Sequence, residues 1–270
     1  AKYLGEHYWD NVDFNAASDE VLEQGFVDMV SIFALLDDEA LDLSWAAAVK
    51  RAEASKTGVA RLLALGDKYL YGVSSPMYNE SAYRSLLRAG LVSKKIAKAD
   101  KAPYQKHLVL LEMNNAGSAA VDFEFEQADG TRSKLSEVVS PVTILFFYDP
   151  DCVDCKIERF RLTQARLTNY LQRAGGVTVL AVFPSADAEA WEKHKSDIPA
   201  EWINARDVSG RLKSENLYDL RAMPRLYLLD DKKQVLLKNT TAAQIESYLT
   251  EVMRSAAESQ AAEGAAEAAE

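Results

Sequence analysis

Cysteine is scarce in this chain: its 270 residues hold two, Cys152 and Cys155. Two cysteines cannot staple a fold through several disulfides, nor supply three or four thiolates to a metal ion. Histidine is nearly as scarce. His7, His107 and His194 are scattered, and no spacing completes a zinc site around the cysteines. No metal and no cofactor are expected. Bases are outnumbered, with 31 Lys and Arg against 41 Asp and Glu and a formal charge of −10. Nucleic acid and anionic membrane surfaces need a concentrated basic footprint, so neither is expected as the main partner. Long apolar runs are missing as well. The best, Val142–Tyr148 and Val177–Phe183, fall far short of the roughly 18 residues that a membrane-crossing helix needs. No glycine-rich phosphate loop is present, Gly175-Gly176 being too little to propose one. The chain opens Ala1-Lys2-Tyr3, with no Met, basic n-region or apolar h-region. It reads as a processed product from which a targeting or anchoring segment has been removed.

What is present is an ordinary globular composition, 48% apolar and 27% charged, enough for a sizeable core. The length suits one large domain or two ordinary ones. Charge is unevenly placed. Residues 1–42 hold eleven acids and one base, whereas residues 43–113 hold five acids and twelve bases. Adjacent blocks of opposite sign are expected to pair within one domain. That domain, 1–113, carries helical signals. Ser18 offers an N-cap before a stripe of Val21, Leu22, Phe26, Met29, Val30 and Phe33. Ser44 is expected to cap the stretch with Trp45, Gly58 to precede a further helix, and Ser75-Pro76 to start another. Four to six helices are predicted, without a tetratricopeptide repeat.

Asn114-Asn115-Ala116-Gly117-Ser118 is a polar break and the expected domain boundary. Beyond it the period becomes strand-like. Val121, Phe123 and Phe125 alternate with acids, as in a half-buried strand. The runs 142–148 and 177–183 suit strands covered on both faces. A helix is expected from about Cys152 to Arg173, another over 186–196, paired strands over 225–229 and 234–238, and a last helix over 241–254. The order predicts an α/β domain with a mixed sheet over 114–254. Residues 255–270 are nearly all Ala and Glu and read as a frayed helical or disordered tail.

The chemistry concentrates in Asp149-Pro150-Asp151-Cys152-Val153-Asp154-Cys155. A buried strand ends at Tyr148 and the cysteines open the next helix. Unpaired N–H groups and partial positive charge at a helix start stabilise a thiolate, the nucleophile of disulfide exchange. The spacing puts Cys155 one turn below Cys152. Cys152 is then the attacking sulfur and Cys155 the resolving one. Glu158, one turn further, is either a proton acceptor for Cys155 or an ordinary helix acid. A zinc site and a purely structural disulfide are the competing readings of the cysteine pair.

Strand, turn, Cys-x-x-Cys helix, strand, helix, Met223-Pro224 and a two-stranded hairpin resemble the thioredoxin fold. The resemblance implies an α/β thioredoxin-like domain preceded by an all-α N-terminal domain. It also implies a cis-proline at Pro224, with the Met223 backbone pairing to an extended substrate and Asp151 and Tyr148 flanking the cysteines as substrate-facing positions. Gly117, Ala120, Asp122-Phe123, Asp129-Gly130 and Leu135 resemble the extra hairpin of envelope thiol–disulfide reductases that serve cytochrome maturation. Those proteins often carry a Glu at the offset of Glu158. The resemblance implies a thiol–disulfide oxidoreductase of the bacterial periplasm or cell envelope. Its partners would be protein thiols and disulfides and an upstream electron donor, with membrane attachment only through a removed anchor. Several residues depart from the pattern. Asp151 and Tyr148 stand where tryptophans are common, Val153-Asp154 replaces Gly-Pro, and Phe146 occupies the place of a buried Asp. Asp149, Asp151 and Asp154 oppose a thiolate at Cys152, which predicts a reducing pair. The alternative is a thioredoxin-like binding or assembly module with an inactive or structural cysteine pair.

Overall fold

A computed structural model of the protein describes residues 1–267. The chain divides into two compact units, Ala1–Glu112 and the residues from Met113 onward.

The first unit is helical: α1 (Lys2–His7), α2 (Asp19–Ser31), α3 (Asp38–Ala52), α4 (Gly58–Gly66), α5 (Glu80–Leu91) and α6 (Lys98–Glu112). Each of three helices is started by the residue before it. The side chains of Ser18, Asp37 and Asn79 accept from Val21, Ala40 and Ala82 N–H and so satisfy otherwise unpaired donors. Ser44 is not a cap. Asp37 outcompetes it because two further acids, Asp38 and Glu39, favour the same helix start. Ser44 lies mid-helix, its hydroxyl donating to the Ala40 carbonyl at 2.7 Å, where α1 passes closely at Gly5. Similarly, α5 starts at Asn79 rather than at Ser75-Pro76. The α2 stripe buries Leu22, Phe26, Met29 and Val30, while Val21 is 57% exposed, being turned about 100° from Leu22. Trp45 anchors the core against Phe26 and Phe33, with ring centroids 5.4 and 5.3 Å away. A turn of π-helix over Asp67–Tyr71 prolongs α4.

The second unit is a mixed seven-stranded sheet: β1 (Glu124–Gln127), β2 (Arg132–Lys134), β3 (Val142–Phe147), β4 (Val177–Phe183), β5 (Ile203–Arg206), β6 (Arg225–Leu229) and β7 (Val235–Lys238). Their spatial order is β2-β1-β5-β4-β3-β6-β7. β3 runs parallel to β4 and antiparallel to β6, with Phe147 opposite Val182 and Arg225. Helices α7 (Val153–Gln164), α8 (Arg166–Arg173), α9 (Ala188–His194), α10 (Arg211–Ser214) and α11 (Ala242–Glu267) complete the unit. The apolar run of β3 serves two cores. Ile144 and Phe146 pack with Leu162, Ile245 and Leu249 from the helices. Leu145 and Phe147 pack with Phe123, Phe125 and Tyr218 on the other face. Alternation inside a continuous apolar run is what a strand covered on both faces requires.

The strand expected from Val121 begins only at Glu124, α10 is an unexpected helix, and three further elements differ from expectation. The helix expected from Cys152 to Arg173 is two, broken at Ala165, whose ψ of 107° leaves the helical region. β5 is an unexpected strand. It is short and half polar, with Ala205 alone fully buried, so it carries no apolar run to betray it. The last helix does not stop near 254. Alanine's helix propensity carries α11 to Glu267, and residues 268–270 of the expected tail lie outside the described residues.

The polar break is built into the second unit. Asn114 is buried with φ +53°; its amide donates to the Leu217 carbonyl and accepts from Val121 N–H. Gly117, at φ +82°, makes the turn that L side chains disfavour. Gly117 N–H then donates to the Val235 carbonyl, and Val235 N–H to the Ser118 carbonyl, both at 2.8 Å.

Candidate active site

The site forms where β3 hands over to α7. Tyr148 N–H still donates to the Val182 carbonyl, at 3.1 Å, so the chain stays in sheet register one residue past β3. Asp149 then organises the turn. Its carboxylate accepts from Asp151 N–H at 2.9 Å, and its carbonyl accepts from Cys152 N–H at 3.1 Å. Short acids favour turns in this way because they mimic a backbone acceptor.

Cys152 is the N-cap of α7, with extended backbone at φ −74° and ψ 120°. Its Sγ accepts from Cys155 N–H at 3.1 Å. The helix start thereby presents donors and partial positive charge to this sulfur. Cys152 is half-buried, whereas Cys155 is 2% exposed; both are free thiols. The Cys152 thiol donates to the Met223 carbonyl at 3.5 Å, and Asp149 N–H donates to Cys155 Sγ at 3.5 Å. Burial pushes the Cys155 thiol far above the usual thiol range, with the Asp149 N–H acting in the opposite sense. The two sulfurs are thus unlike: one reachable, one enclosed.

The Met223–Pro224 peptide is cis and stands directly before β6. A buried ionic knot holds the loop that carries it. Arg221 forks onto the Asp219 carboxylate at 2.8 and 2.7 Å, and Arg225 donates to the Asp219 carbonyl at 3.0 Å. Burial alone would raise the Asp219 carboxyl, but the two guanidinium groups more than offset this and hold it below its ordinary value. Sequence reading passes over these three residues. An Asp with an Arg two and six positions on is unremarkable until the loop brings both arginines back to it.

Not every predicted site residue reaches the surface. Cys152, Cys155, Met223 and Pro224 come together, and Asp151 is exposed beside them. Tyr148 is not substrate-facing: it is 2% exposed, stacked on Phe146 at 5.8 Å, with its hydroxyl on Asn204 Oδ1. Strand register past β3 directs its ring into the core. Glu158 is buried, and both its oxygens are occupied. One accepts from Ala242 N–H, at the start of α11, and the other from Arg161 at 3.0 Å. Among the described residues it makes no hydrogen bond to either sulfur. No group of three or more His, Cys, Asp or Glu side chains among them is arranged to hold a metal. No helix among them is long and apolar enough to cross a membrane.

Residues 1–114 match the family model of DUF5106, a domain of unknown function. A thioredoxin-like protein from Bacteroides caccae is 33% identical, with a TM-score of 0.85 over 92% of this chain and 91% of that one. The C-terminal domain of an uncharacterized protein from Bacteroides fragilis is 36% identical, with a TM-score of 0.50 over 51% of this chain and 98% of that one. A domain of a possible thiol-disulfide isomerase from Cytophaga hutchinsonii is 28% identical, with a TM-score of 0.45 over 53% of this chain and 97% of that one. No curated protein shows significant similarity to the chain.

Proposed function

The chain belongs to the thioredoxin-like proteins, and from that premise we propose that it is a thiol–disulfide oxidoreductase acting on protein substrates through Cys152 and Cys155. One observation carries this reading: a reachable sulfur caps a helix and receives the Cys155 N–H, while the second sulfur is buried one turn behind it.

The steps balance as follows. The Cys152 thiolate attacks one sulfur of a substrate disulfide; an S–S bond forms to Cys152 and the substrate's other sulfur leaves as a thiolate. Cys155 then gives up its proton and attacks Cys152 Sγ. The Cys152–Cys155 disulfide forms and the second substrate thiol departs. Two electrons and two protons pass from the dithiol to the substrate, and an external thiol restores the pair. The Met223 carbonyl, beside Cys152, is the group assigned to pair with the substrate backbone.

Glu158 is assigned to anchoring α11 rather than to proton transfer, because both its oxygens are already committed. We assign the direction as reducing. Three acids, Asp149, Asp151 and Asp154, lie within three residues of Cys152 and add negative charge to the segment that carries it. The hairpin β1–β2 supports an envelope location.

Insulin reduction with dithiothreitol tests the activity, and an inert protein would leave the binding-module reading. The Cys155→Ala variant is expected to accumulate mixed disulfides through Cys152. Equilibration with glutathione tests the direction; a potential near about −120 mV, that of a strong oxidant, would overturn it.

A further inference from the structure

Helix α7 carries an apolar stripe that the reaction does not use. Val153 is 67% exposed, Ile157 43% and Phe160 64%. Steps of four and three place them on one helix face. The opposite face buries Cys155, Glu158 and Leu162 in the core. An exposed aromatic between two branched side chains is costly to leave in water and is a mark of an interaction surface. The stripe begins at the residue after Cys152. From Cys152, Ile157 lies about 7.5 Å and Phe160 about 12 Å along the axis.

The charges around it are ordered. Asp151 and Asp154 stand at the sulfur end, Lys156 follows on the other side of the stripe within the first turn, and Arg161 stands beyond Phe160 at the far end. Arg161 is ion-paired to buried Glu158 yet keeps a side chain 61% exposed. Three side chains cover far less than the roughly 800 Å² per partner of a standard stable interface. The surface is therefore sized for a transient encounter and not for a second copy of this chain.

Resting on the oxidoreductase reading, we infer that α7 is the docking rail for the protein substrate. The substrate segment carries a base beside its reactive cysteine, then apolar side chains flanked by carboxylates, and lies along Val153, Ile157 and Phe160 with its sulfur at Cys152. Apolar contact supplies the hold, and the charge order fixes the direction of the segment.

The test uses the full chain in its reduced form and a synthetic peptide of extended conformation. The peptide has Lys beside its cysteine, Leu two and four positions on, about 7 and 13 Å along an extended chain, and Glu flanking the leucines. Its cysteine is a mixed disulfide with thionitrobenzoate, whose release is followed by colour. The same mixed disulfide on N-acetylcysteinamide is the reference. The wild type is expected to favour the peptide about tenfold or more in kcat/KM. The double variant Ile157→Ala/Phe160→Ala should lose that preference with the reference rate within twofold. Replacing the peptide's Glu by Lys should lower the wild-type rate similarly. Equal peptide rates in wild type and double variant overturn the inference while the oxidoreductase reading stands. So does sedimentation showing a dimer that the double variant dissolves, since a second copy would then cover the stripe. A wild type that releases no thionitrobenzoate from either compound overturns both.

Discussion

Helices in the two units are started by groups at very different distances along the chain. In the helical unit, α2, α3 and α5 each rely on the residue immediately before them. In the sheet unit, α9 does the same through Asp187 and α11 through Thr241, which accepts from Gln244 N–H, but α11 has a distant acid as well and α8 relies on one alone. Glu246 accepts from Leu167 N–H, Thr168 N–H and the Thr168 hydroxyl at 2.7, 3.0 and 2.6 Å. Glu158 accepts from Ala242 N–H. A local cap tunes one helix, whereas a distant cap ties two helices together. α7 and α11 share Glu158, and α8 and α11 share Glu246. The helix bearing the cysteines is thus tied into the sheet unit by polar bonds as well as by packing.

The largest expected effect separates the units by chemistry. Cys152→Ser should abolish insulin reduction, whereas Ser18→Ala, in the helical unit, should leave it at the wild-type rate. Next comes the distant cap. Glu158→Ala leaves Ala242 N–H without its acceptor and Arg161 without its partner, so urea unfolding should show a loss of about 3 kcal/mol. Glu158→Gln keeps one carbonyl oxygen and should lose less. A pH profile of its reductase rate matching the wild type's would support the anchoring role; a shifted profile would return Glu158 to proton transfer.

Acid should act on the sheet unit through the same kind of bond. Burial would raise Glu246, but Thr168 and two backbone N–H groups bring it below its ordinary value, as the arginines do for Asp219. A depressed folded pKa contributes stability above the unfolded value and loses it as pH falls. Urea midpoints should therefore drop as pH falls below the ordinary carboxyl values of 4.5 and 3.8. Asp219→Asn and Glu246→Gln should flatten that drop. The smallest effect belongs to the local cap: Ser18→Ala should cost about 1 kcal/mol in the same assay.

The same distinction explains what the sequence disclosed. Ser18 before an apolar stripe is a local signal, and so are the Cys152/Cys155 spacing, the β3 and β4 runs and Met223-Pro224 before a strand. Each is written in neighbouring residues. Ser44 misled because Asp37, with two acids behind it, is the stronger local start. Glu158 and Glu246 could not be recognised as caps, since their partners lie some eighty residues away. Asp219 and Arg225 become a pair only when the loop closes. Tyr148 looked like a surface position until strand register past β3 turned its ring inward. β5 shows the limit for strands: sheet neighbours on both sides hold a four-residue segment whose own composition is indifferent.

The segment that joins the units has a further consequence. A sheet border is a row of unspent hydrogen-bonding groups, open to any passing strand from another molecule. At one border β2 is three residues long and bears Arg132 and Lys134, which discourages such pairing. At the other, Gly117 and Ser118 already occupy the outward N–H and carbonyl of Val235. The polar run that looks like a spacer therefore covers the start of this border against stacking between molecules. A chain begun after residue 120 would keep its cysteines but leave that border open to aggregation.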